Sequence, residues 1–146
     1  MSARGPVLFL CPHNAAKSVL AVAEFDRLAQ QRGLPLRADS AGTEPDAAPS
    51  PAVVAALRAD GIDVAEHRPR RVTPEDLAAA HRIITLGCDI GALAAPGAAI
   101  VSWDDVPPVS RDLEAARSAI RRHVERLVAE LAAEQGQAGN DAGEDE

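Results

Sequence analysis

The chain is predicted to fold as an α/β protein: a single three-layer domain with a four-stranded parallel sheet flanked by helices. Three observations carry this expectation. Apolar runs of strand length alternate with amphipathic stretches of helix length over residues 1–134. The runs Val7-Leu8-Phe9-Leu10 and Ile83-Ile84 are apolar at consecutive positions, as strands covered on both faces are. Cys11, Ser40 and Cys88 fall where such runs end, and parallel sheets bind their ligands at the carboxyl ends of strands.

The elements follow in order. Val7 to Leu10 forms the first strand. Leu20, Val22, Ala23, Phe25, Leu28 and Ala29 mark one face of a helix from about Ser18 to Arg32, with Ser18 as its N-cap and Gly33 as its stop. Leu36 to Ala41 is a second strand ending in Gly42. Ser50-Pro51 opens a helix in the cap-then-proline manner, buries Val53, Val54 and Leu57, and ends at Gly61. Ile62 to Val64 is extended. Thr73-Pro74-Glu75-Asp76 starts a short helix through Ala80. Arg82 to Leu86 and Ala99 to Trp103 are the third and fourth strands. A last helix from about Ser110 to Glu134 carries Leu113, Ala116, Ile120, Val124, Leu127, Val128 and Leu131 as its apolar stripe.

Composition narrows the function classes. The net charge of −7 is partly a tail effect: residues 135–146 hold Asp141, Glu144, Asp145 and Glu146 and no base, so this segment is expected to be a disordered acidic tail. The body stays acidic, at about −3, which argues against nucleic acid as a partner. No run is long and apolar enough to suggest a membrane span, and the N-terminus has no signal-peptide pattern, so the expected location is the cytoplasm. Aromatic residues are Phe9, Phe25 and Trp103, with no tyrosine. Cys11 and Cys88 could be a disulfide, a redox pair or two separate thiols; a structural disulfide is disfavoured in a cytosolic chain.

Residues 11–18, Cys-Pro-His-Asn-Ala-Ala-Lys-Ser, carry the most chemistry. They place a thiol at the end of a strand, then a short loop, then a cation where a helix begins. A helix N-terminus and a nearby cation bring a thiol's pKa into the range of about 3.5–7.5, where the nucleophilic thiolate prevails. Main-chain N–H groups curled around it would cradle an oxyanion. The Lys17-Ser18 pair does not make this a nucleotide-binding Walker loop. The glycines that motif needs six residues and one residue before its lysine are here Cys11 and Ala16.

The chain resembles the low-molecular-weight protein tyrosine phosphatase superfamily, which includes the thioredoxin-type arsenate reductases. The family loop is cysteine, five residues, arginine, serine, with asparagine in fourth place. It is matched by Cys11, Asn14 and Ser18, with Lys17 at the arginine position. The likeness continues through Asp39-Ser40-Ala41-Gly42-Thr43, Gly61-Ile62-Asp63, His67-Arg68, Ile84-Thr85-Leu86-Gly87, Pro96-Gly97 and Trp103-Asp104. It implies the low-molecular-weight phosphatase fold and a Cys11 phosphoryl intermediate. Lys17 and Ser18 would assist, and Pro12, His13, Asn14, Ala15 and Ala16 would form the anion-binding loop. It further implies a polar network of Asn14, Ser18, Ser40 and His67 that holds the loop's shape. Phosphate or arsenate would be the bound oxyanion, a phosphoprotein a substrate, and thioredoxin or a small thiol a redox partner; no cofactor and no metal are called for.

Departures from the family pattern bear on the chemistry. Lysine at 17 keeps the charge but loses arginine's planar, two-pronged grip on phosphate. Counting from Trp103, the family's general-acid aspartate falls on Pro107, which has no proton to give. Asp105 is the preferred substitute, with Asp104 and His13 as other donors. Without tyrosine, only Pro12, His13 and Trp103 offer themselves as pocket walls. Cys88 resembles the reductases' second cysteine, but their third would fall near Ala94-Ala95 and is missing. Three readings therefore stand: a slow or atypical phosphatase, an arsenate reductase using Cys11 and Cys88, and a non-catalytic oxyanion-binding module.

Overall fold

The computed structural model describes residues 5–94 and 98–144. Its elements are β1 (Val7–Cys11), α1 (Lys17–Gln31), β2 (Ala38–Gly42), α2 (Pro51–Ala59), α3 (Pro74–Ala79), β3 (Arg82–Thr85), β4 (Ile100–Ser102) and α4 (Leu113–Glu144). The four strands form one sheet in the order β2-β1-β3-β4, with every neighbouring pair parallel. The predicted fold class therefore holds. Pro96-Gly97, part of the sequence resemblance, lies outside the described residues, as do Asp145 and Glu146.

The sheet works because β1 is buried along its whole length. Alternate side chains leave a strand on opposite faces. Val7, Phe9 and Cys11 therefore join the core formed with α1, α2 and α4, which includes Leu20, Phe25, Leu57, Ile120, Val124 and Leu131. Leu8 and Leu10 join a smaller core with Ala41, Val72, Leu77 of α3, Ile83 and Ile90. Phe9 is the hub of the larger core, with its ring 5.9 Å from Phe25 and 5.6 Å from Trp103. β1 is flanked by β2 on one side and β3 on the other. The crossovers therefore part on either side of its carboxyl end, and parallel sheets open a ligand crevice at such a point. Cys11 is the last residue of β1.

Helix boundaries follow local chemistry, with two corrections. Ser50 caps α2 through Val53 N–H ahead of Pro51, and Thr73 and Asp76 form a reciprocal capping box ahead of Pro74. Ser18, expected as the cap of α1, is not one: the helix starts at Lys17, Ala16 occupies the cap position, and no side chain caps it. Ser18 is fully buried and serves the loop instead. The last helix, expected to end near Glu134, runs on to Glu144. Gly136, Gly139 and Gly143 each weaken a helix by about 1 kcal/mol relative to alanine, but none forces a break, and no proline follows to stop it.

α1 and α4 are locked together by an ion cluster. Glu24 is buried on α1, and its carboxylate accepts from Arg117 Nε at 3.2 Å and Arg121 Nη2 at 3.0 Å, both on α4. Arg27, one turn along, also pairs with it, while Arg117 reaches on to Asp60 at the end of α2. Burial pushes the Glu24 carboxyl up, but the Arg121 hydrogen bond and charge, with Arg27 and Arg117, outweigh it and hold the group below the usual range.

Candidate active site

The loop between β1 and α1 is shaped by hydrogen bonds from distant parts of the chain. Asn14 is fully buried with φ at +51°, a left-handed conformation that asparagine tolerates better than most side-chain-bearing residues. The Asn14 carbonyl accepts from His67 Nε2 at 2.9 Å, and its side-chain oxygen accepts from the main-chain N–H of Arg70 at 3.0 Å. Its side-chain nitrogen donates to Ser18 Oγ at 3.0 Å. Ser18 Oγ lies 3.0 Å from Cys11 Sγ. Ser18 Oγ thus accepts from both the Cys11 thiol and the Asn14 side chain, and ties the sulfur into the buried network.

The other side of the loop is stitched to the segment after β2. The N–H groups of Glu44, Asp46 and Ser50 donate to the carbonyls of Pro12 (2.7 Å), His13 (3.0 Å) and Ala15 (2.9 Å). Gly42 permits this close approach, since a Cβ there would stand 2.6 Å from the Pro12 oxygen and 2.8 Å from that of Cys11. The carbonyls of residues 12–15 are thus all drawn outward. An N–H turned away from such carbonyls lines a concave, anion-binding face.

That face opens into a cleft of about 590 Å³ lined by Cys11, Pro12, His13, Ala15, Ala16 and Lys17 on one side. The lining is completed by Asp46, Ser50, Pro51 and Ala52, by Leu86 and Gly87, and by Pro108, Val109 and Ser110. Lys17 Nζ donates to the Val106 carbonyl at 3.0 Å. An ammonium has three protons, so this bond leaves donors for a bound anion. Among the described residues no cluster of three or more His, Cys, Asp or Glu side chains could hold a metal.

The structure brings most of the predicted site together and redistributes the rest. Cys11, Pro12, His13, Ala15, Ala16 and Lys17 border the cleft, while Asn14 and Ser18 lie buried beneath it. His67 reaches the loop directly. Ser40 is buried and shares a separate cavity of about 340 Å³ with His67. Asp105 is not brought to the site. Its carboxylate pairs with His123 Nε2 at 2.7 Å, and His123 is stacked on Trp103. That contact holds its carboxyl below the usual range, and Asp105 is not part of the cleft lining. Asp104 is also absent from the lining. Trp103 does not wall the pocket; it is core, packed on Phe9.

Cys88 is half-buried and packs with the smaller core. Both cysteines are free thiols. Burial, reinforced by the neighbouring charge of Cys11, pushes the Cys88 thiol up to about 11.

Two residues at the site were missed in the sequence. Arg70 orients Asn14 by its backbone and is itself pinned by Asp39 at 3.0 Å and Asp76 at 2.9 Å. Asp39 stood in a recognised block and Asp76 in a capping box, but no periodicity links either to residue 70. Asp46, the carboxylate of the cleft lining, sits in an alanine- and proline-rich loop with no local signal.

A parallel sheet with a cysteine at a strand's carboxyl end, a rigid loop of outward carbonyls and a cation at the next helix start defines a class: α/β proteins with a cysteine-loop oxyanion site. The chain belongs to the low molecular weight phosphotyrosine protein phosphatase family, whose model matches residues 6–97. It is similar to YfkJ from Bacillus subtilis, with 27% identity, a TM-score of 0.77, and coverage of 91% of this chain and 98% of that one. It is similar too to the Archaeoglobus fulgidus arsenate reductase, with 28% identity, a TM-score of 0.69, and 84% and 98% coverage. A Halobacterium salinarum protein provisionally named an arsenate reductase is 28% identical over 125 residues, 84% of this chain and 87% of its own. The family's relatives thus include both phosphatases and arsenate reductases.

Proposed function

We propose that this protein is a phosphomonoester hydrolase that works through a phosphoryl group carried on Cys11. The observation that carries this reading is the relay from Arg70 N–H through Asn14 and Ser18 to Cys11 Sγ, each link 3.0 Å long, at the base of an anion-sized loop. Sγ attacks phosphorus, the main-chain N–H groups and Lys17 hold the charge on the equatorial oxygens, and water then releases phosphate. Lys17 replaces a two-pronged donor by a point charge, so turnover is slow. A cleft with no aromatic wall favours a small or aliphatic ester over phosphotyrosine.

The second reading, an arsenate reductase, draws on the relatives and on Cys88. The Cys88 thiol, pushed up to about 11 chiefly by burial, is a weak nucleophile at neutral pH. This favours hydrolysis. The deciding measurement runs both reactions side by side: aryl phosphate hydrolysis with acid-quench trapping of phosphocysteine, and arsenate reduction coupled to thioredoxin or a small thiol. Cys88→Ser should leave hydrolysis within about twofold, since Cys88 has no part in the displacement. Arsenate reduction that Cys88→Ser abolishes, with no trapped phosphocysteine, would reverse the assignment. Phosphate binding with neither reaction would leave an oxyanion-binding module.

Lys17→Arg should raise phosphate-ester kcat, by as much as about 10²-fold, because a second fixed donor reaches the transition state. Steady-state kinetics check this. An unchanged or lower kcat would show that the Lys17–Val106 contact matters more than the donor geometry.

A further inference from the structure

Family phosphatases draw their proton from an aspartate that this chain lacks, and the structure removes the obvious substitutes. Position 107 is proline, and Asp105 is held by His123 outside the cleft. The groups around the cleft that can carry a proton are Cys11, Lys17, His13 and Asp46. Cys11 is the nucleophile and Lys17 the anion's cation, which leaves a histidine and a carboxylate side by side.

Their arrangement is that of an imidazole with an orienting partner. His13 Nδ1 lies 3.0 Å from the Glu44 carbonyl and 3.5 Å from Asp46 Oδ1. A carbonyl only accepts, so Nδ1 carries a proton and Nε2 is left as the working nitrogen. The pair is also rigidly mounted, since Glu44 N–H and Asp46 N–H donate to the carbonyls of Pro12 and His13 themselves. The histidine thus moves with the loop that holds the nucleophile.

We propose that His13 is the proton carrier of the hydrolysis assigned to Cys11, with Asp46 as the residue that positions it and stabilises its charge. The proposal rests on the phosphohydrolase reading. In the first step Sγ forms its bond to phosphorus as the ester P–O bond breaks, and the imidazolium Nε2–H passes its proton to the leaving oxygen. The products are an alcohol, phosphocysteine and neutral His13. In the second step Nε2 takes a proton from the attacking water, the S–P bond breaks, and phosphate, thiolate and imidazolium are restored. Charge and atoms balance over the cycle with water as the other reactant.

The test compares leaving groups. An acid matters most when the leaving oxygen is basic and least when it departs unaided. His13→Gln should lower kcat on phenyl phosphate by roughly 10²-fold or more and on 2,4-dinitrophenyl phosphate by less than about threefold. Asp46→Asn should lower kcat on phenyl phosphate more than on 2,4-dinitrophenyl phosphate, the leaving-group pattern of His13→Gln in weaker form, since the carboxylate beside His13 Nδ1 is removed; equal effects on the two esters would remove Asp46 as the positioning residue. Equal losses on both esters in His13→Gln, or no loss on either, would overturn the proton role while leaving Cys11 hydrolysis standing. Failure of the unaltered protein to turn over dinitrophenyl phosphate would overturn the hydrolase reading itself.

Discussion

Replacing Cys11 by serine is expected to lower turnover of an activated aryl phosphate by roughly 10⁴–10⁶-fold while leaving the protein folded. Cys11 is buried, and serine is slightly smaller, so the strand end and its core neighbours need little adjustment. The loss is chemical. Sulfur is the softer and intrinsically stronger nucleophile, whereas a serine hydroxyl needs a strong base to remove its proton. The neighbour of position 11 is the Ser18 hydroxyl, which accepts from the Cys11 thiol but is too weak a base to activate a serine. The oxyanion loop is built from main-chain groups held by Asn14, His67 and Arg70, so the variant should still bind phosphate. Kinetics, phosphate calorimetry and a thermal melt on the same preparation check the three parts. Retention of turnover within tenfold would remove Cys11 from the mechanism.

Glu24→Ala should destabilise the fold by roughly 3–5 kcal/mol, a fall in Tm of about 10–15 °C. The variant leaves Arg117 nearly buried with only Asp60 to answer it, and Arg121 and Arg27 with a cavity in place of their carboxylate. Glu24→Gln keeps the volume and should cost less. The pH dependence has a definite sign. The folded carboxyl titrates below its ordinary value of 4.5, so its contribution is complete above that pH and is lost as pH falls through the lowered folded value. Urea unfolding between pH 3 and 7 should show this acid limb in the unaltered protein and a flatter one in Glu24→Gln. Parallel curves would mean that the cluster contributes no charge-dependent stability.

The strands and the helices could be read from the chain because each is written in contiguous residues. Val7–Leu10 and Ile83-Ile84 signal buried strands by composition, Ser50-Pro51 and Thr73-Pro74 announce helix starts by capping chemistry, and Cys11 follows a strand directly. The misreadings arose where a local rule met a tertiary demand. Ser18 has the chemistry of an N-cap, but the Cys11 thiol and the Asn14 side chain claim its oxygen. Asp105 sits close in sequence to the missing acid, but the face of α4 that carries His123 captures it. The apolar stripe of α4 stops at Leu131, yet the helix continues to Glu144.

The sequence by itself determined an α/β fold, a cysteine at the carboxyl end of the first strand, and the short loop that leads from it into α1, because periodicity and short motifs act over a few residues. Tertiary structure alone decided which groups complete the site. Arg70 orients Asn14 from 56 residues away, Val106 fixes Lys17 from 89, and the segment after β2 sets Asp46 beside His13. Hydrogen bonds and ion pairs depend on distances of about 3 Å between atoms, and such distances between remote residues exist only once the sheet has brought the strand ends together.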